Sequence, residues 1–109
     1  MVFVTVLKNQ NEQYIGFECI GHAGDAEAGE DIVCAGVSVL VINTVNSLDC
    51  FTEEKFRTDI DEKTGRIGVH FRRSPGHDAK LLMDSLILGL QGIQENYGVG
   101  YITLDFKEV

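Results

Sequence analysis

The residues best placed to do chemistry are a histidine at position 22 and a cysteine at position 34, separated by Ala-Gly-Asp-Ala-Glu-Ala-Gly-Glu-Asp-Ile-Val. An imidazole titrates near neutrality and can take a thiol proton. The thiolate then attacks an acyl carbon, and the imidazolium returns the proton to the leaving amine. The reaction class is acyl transfer, and with water as the final acceptor it is hydrolysis. Glycines 21, 24 and 29 give the intervening loop freedom to fold back and leave room for a substrate backbone. Asp31 is read as the N-cap of the helix that follows, which makes Cys34 its third residue. The unpaired N–H groups and the dipole at a helix start favour an anion, the nucleophilic form of a thiol. Free N–H groups near Cys34 also offer an oxyanion site.

Plainer readings stand beside these. A cysteine at a helix start serves as a small core residue, and a histidine at a strand end caps a loop. Asp31 either orients His22 as a third member or only caps the helix. Ser38, four residues after Cys34, either lines the same site or is a surface hydroxyl. Cys19 and Cys50 lie in apolar runs and read as packing. His70 falls in a strand and His77 near a helix start. No HxxxH or CxxC spacing argues for a metal, and neither a metal nor a cofactor is expected. Arg72-Arg73 reads as a solvated strand edge. The glycine loop lacks the lysine of a phosphate loop and carries Glu27, Glu30 and Asp31, which repel phosphate.

The elements that must position these residues follow from periodicity. Residues 2–7 and 14–20 read as strands joined by the polar turn 8–13, an antiparallel hairpin. Residues 32–51 are apolar for too long to be a strand and read as a helix, with Val33, Val37, Leu40, Val41, Thr44 and Leu48 on one stripe. Enough apolar surface remains that this helix is central or shared with a second subunit. Residues 55–61 and 66–72 form a second hairpin around Asp61–Gly65. Residues 78–97 form a second helix, with Leu81, Leu82, Leu86, Leu88 and Ile93 as its apolar positions and Gly98 at its end. Residues 100–107 alternate as a last strand. The order ββαββαβ implies an α+β fold, with a mixed or antiparallel sheet carrying two long helices on one face.

A chain of 109 residues reads as a single domain over 1–109. The three cysteines form no CxxC pair, so reduced thiols and a cytoplasmic location are expected. The apolar opening Met1–Leu7 is short and lacks a basic leader, and no membrane segment is expected. The formal net charge of −8 argues against direct nucleic-acid binding and suits a basic partner.

The segment Gly21-His22-Ala23-Gly24…Gly29-Glu30-Asp31-Ile32-Val33-Cys34-Ala35-Gly36-Val37-Ser38 closely resembles the ribosomal-processing cysteine protease family, Prp. The likeness extends over the whole chain in length and element order. It implies that His22 and Cys34 are a catalytic dyad, and that Asp31 and Ser38 match the family's aspartate and serine around the cysteine. It further implies a homodimeric peptidase, with no cofactor, that removes the N-terminal extension of a basic large-subunit ribosomal protein. The alternative is a non-catalytic ribosome-associated binding module that keeps the motif for packing.

Overall fold

The computed structural model describes residues 1–21 and 28–109, and the side chains of the second stretch from 32 onward. The elements run β1 (Val2–Lys8), β2 (Tyr14–Ile20), α1 (Ala28–Phe51), β3 (Phe56–Asp61), β4 (Arg66–Phe71), α2 (His77–Tyr97) and β5 (Ile102–Glu108). This is the expected ββαββαβ order of an α+β fold. The five strands form one mixed sheet in the order β3-β4-β2-β1-β5. Every pairing is antiparallel except β1 with β5, which is parallel.

Alternation along the strands divides the sheet into two faces. Val2, Val4 and Val6 of β1, Phe17 and Cys19 of β2, Val69 of β4 and Ile102 of β5 enter one core with residues of both helices. The register places Phe3, Thr5, Glu18, Ile20, Arg66, Gly68 and His70 on the opposite face. Gly16 sits where β1 and β2 slip register, between Leu7 and Lys8. A Cβ there would lie 1.9 Å from the Val69 carbonyl oxygen, so only glycine fits.

Helix α1 buries Val33, Val37, Val41, Thr44 and Leu48, with Leu40 half-buried. This is the expected stripe. By length and composition alone, Ile32–Phe51 is also long and apolar enough to cross a membrane; here its stripe is core. Helix α2 departs from expectation. It buries Ala79, Met83, Leu86, Ile87 and Leu90, whereas Leu81 and Leu88 are 59% and 71% exposed. Positions 81 and 88 are two turns apart and share a face, but that face lies outside the core stripe. Residue type alone does not set which leucines are buried; the phase of the helix does. The helices meet closely at Gly89, where a Cβ would lie 3.0 Å from Leu40 Cδ1.

Candidate active site

Cys34 lies on α1, half-buried and packed against the core cluster. Its setting differs from the sequence reading in one respect. Helix α1 begins at Ala28, so Asp31 is inside the helix and is not its N-cap. Gly29 also belongs to the helix, and Cys34 is in the second turn. Acidic residues such as Glu30 and Asp31 are favoured in a first turn, which suits this earlier start. The dipole effect fades within the first turn, so the helix terminus does little to activate Cys34.

Strand β2 ends two residues before His22 in sequence. Cys19 points from β2 into the core at 6% exposure. Burial, and then the charge of Cys34, push its thiol up to about 11. Cys34 packs against the same core cluster that Cys19 enters from β2. His22 is three residues beyond Cys19 in sequence. His22 and Gly24 lie outside the described residues.

The departure point from β2 is built tightly. Gly21 packs toward Val2, whose Cγ2 would lie 3.7 Å from a Cβ at position 21. On its other side stands the β3–β4 turn. Gly65 has φ of +68° there, and a Cβ on it would lie 2.6 Å from the Gly21 carbonyl oxygen. Both the left-handed backbone and the close approach require glycine at 65. Nothing in the sequence pairs Gly65 with the His22 segment, because they are 43 positions apart and meet only across the sheet.

The remaining candidates separate. Ser38, one turn after Cys34 on the same side of α1, is exposed. Cys50, expected as packing, is exposed instead, because it lies about 200° around α1 from Leu48 and so off the buried stripe. All three cysteines are thiols. His77 begins α2 with its side chain 87% exposed. His70 stands on the sheet face away from the helices, with its Nε2 3.8 Å from Glu18 Oε1, which also accepts a 2.8 Å hydrogen bond from Arg66 Nη2. Among the described residues no three His, Cys, Asp or Glu side chains converge where a metal could sit.

Residues 1–103 match the family described as Cysteine protease Prp. This chain belongs to the cysteine protease Prp family. It is 32% identical over 101 residues to the ribosomal processing cysteine protease Prp of Bacillus subtilis, covering 89% of this chain and 90% of that protein. The structure of an essential ribosomal processing protease Prp from Staphylococcus aureus with a substrate peptide is similar at a TM-score of 0.90 and 28% identity, over 98% of this chain and all of that one. A second structure of the Staphylococcus aureus Prp, with a covalently linked product peptide, gives a TM-score of 0.86 at 29% identity over 98% of this chain and all of that one. The chain is thus a cysteine protease with the Prp fold, and the reading as a non-catalytic binding module is set aside.

Proposed function

We propose that this cysteine protease removes the N-terminal extension of a basic large-subunit ribosomal protein, with Cys34 as nucleophile and His22 as general base. The observation that supports the assignment to these two residues is that Cys34, half-buried on α1, packs against the core cluster that Cys19 enters from β2, the strand that leads in sequence to His22. His22 takes the Cys34 proton as sulfur attacks the scissile carbonyl carbon, and a thioester forms as the C–N bond breaks. The imidazolium gives its proton to the departing amine. Water, deprotonated by the same imidazole, then hydrolyses the thioester and restores the thiol. The comparison proteins named for ribosomal processing support the substrate class. So does the net charge of −8, which draws a basic substrate toward the enzyme.

We further propose that the protein acts in the cytoplasm as a homodimer. Its thiols suit a reducing compartment. Ile32, Val39 and Ile42, which are 58%, 66% and 50% exposed, recur along one side of α1 away from the core and give a second copy an apolar face to cover.

The test is cleavage of a peptide spanning the ribosomal extension, followed by mass spectrometry. Cys34→Ala abolishes cleavage, Cys34→Ser loses nearly all of it, and His22→Ala lowers kcat by about 10²- to 10⁴-fold. A Cys34→Ala protein that cuts at the wild-type rate refutes the assignment.

A further inference from the structure

The net charge of −8 is an average, and the sheet distributes it unevenly. Arg57 pairs with His70 in the β3–β4 register, and the Arg72 amide donates to the Lys55 carbonyl at 2.9 Å. Lys55 therefore stands opposite Arg72, as Arg57 stands opposite His70. Residues two apart on a strand share a face, so these four side chains form one square on the sheet face away from the helices. Together with Phe56 and Phe71 they line a surface hollow of about 420 Å³.

Among the described residues the square is only partly neutralised: Glu53 and Glu54 line an adjoining hollow with Lys55, Arg72 and Arg73. Arg57 reaches Asp59 at 3.4 Å, but both side chains are well exposed. His70 faces Glu18, whose carboxylate is already held by Arg66. Glu54 is committed to the Gly76 amide at 2.6 Å. Among the described residues no carboxylate pairs with Lys55 or Arg72. Like charges directly opposite each other destabilise a strand pair. Charged residues are a common device for blunting a sheet edge, and β3 is an edge strand. That accounts for Lys55 and Arg57. It does not account for His70 on the inner strand β4, or for Arg72 directly after it.

We infer that this square is a docking surface for the sugar-phosphate backbone of RNA. The two rows repeat every two residues, about 6.8 Å along the strands, and Lys55, Arg57 and Arg72 present three closely spaced cations to a chain with one anion per nucleotide. Arg57 and Arg72 supply planar forks suited to phosphate oxygens. These side chains are taken to engage phosphate oxygens, so binding is strongly dependent on salt. This reverses the expectation drawn from net charge. Carboxylates beyond about one Debye length, ~8 Å at physiological ionic strength, are screened from a phosphate seated here. The inference rests on sheet register and not on the assignment of the dyad.

The test is fluorescence anisotropy of a short labelled oligouridylate with the full-length protein, titrated from low salt to about 0.2 M. Lys55→Gln/Arg72→Gln lowers affinity at least tenfold and flattens the log–log salt dependence by about 1.4, with each single variant giving about half of that. Lys63→Gln/Lys107→Gln, which removes two exposed cations elsewhere, leaves both quantities unchanged. All four variants cleave the peptide at the wild-type rate, which shows that they are folded. Three results overturn the inference: no RNA binding at low salt, equal affinity in the Lys55/Arg72 variants, or equal competition by a polyglutamate of the same charge.

Discussion

At the scale of single residues, the site depends on a glycine that does no chemistry. Gly65 and Gly98 both have positive φ, +68° and +95°, but only Gly65 faces another backbone. Placing alanine at Gly65 costs about 1–2 kcal/mol, and at Gly98, with φ of 95° and ψ of 166°, about 1–3 kcal/mol. Gly98→Ala, with nothing near its Cβ, loses stability and keeps its kcat. Gly65→Ala also displaces Gly21 and with it the peptide that leads into His22. Its kcat falls on the order of 10²-fold with KM little changed, since a displacement near 1 Å is enough for such a loss. Equal kcat in the two variants refutes the positioning role.

Two other residues give the fold a pH signature. Burial and the Cys34 charge raise Cys19 from 9.0 to about 11. Burial, then the 2.5 Å hydrogen bond to Asp84 and its charge, raise the Tyr14 hydroxyl far above its ordinary value of 10.0. Both groups hold their protons more tightly when folded. Their contribution is complete below the unfolded values and is lost as pH rises past them. Thermal midpoints measured from pH 8 upward fall first between about 9 and 11 and further above 10. Cys19→Val flattens the first part, and Tyr14→Phe flattens the second.

At the scale of elements, the β3–β4 hairpin does more than complete the sheet. Its turn abuts Gly21, and its strand ends carry the cationic square. Because Lys55 faces Arg72 across the pair, Lys55→Glu turns a repulsion into an attraction. Stability at low salt rises by about 0.5 kcal/mol and the gain shrinks as salt is added, as equilibrium denaturation will show. Helix α1 shows how far an element can be read locally. The stripe through Val33, Val37, Val41 and Leu48 is legible because burial follows a 3.6-residue period. Its start was misplaced by three to four residues, from 32 with a cap at Asp31 to Ala28. Glycine-containing Ala28–Asp31 has no propensity strong enough to mark the boundary, and the difference moves Cys34 by a whole turn.

At the scale of the whole molecule, the helices cover one sheet face and leave Ile32, Val39 and Ile42 of α1 outward. Val39→Glu/Ile42→Glu places two carboxylates in the middle of that apolar stripe. In sedimentation equilibrium the wild type has twice the 12.0 kDa chain mass, and the variant has the mass of one chain. A wild type that remains at one chain mass refutes the dimer.

The sequence alone determined the element order, the buried stripe of α1 and the family, because these rest on local periodicity and on a contiguous motif from Gly21 to Ser38. It also singled out Cys34 and His22 as the pair proposed here for catalysis, since their residue types suit that chemistry. Tertiary structure decided what depends on distant neighbours. It placed Cys34 a turn inside its helix, buried Cys19 in the core that Cys34 packs against, and seated Gly65 against Gly21. It exposed Leu81 and Leu88, and it gathered Lys55, Arg57, His70 and Arg72 into one patch of an acidic protein. Each of these is fixed by strand register or helix phase, and both are set by packing between segments far apart in the chain.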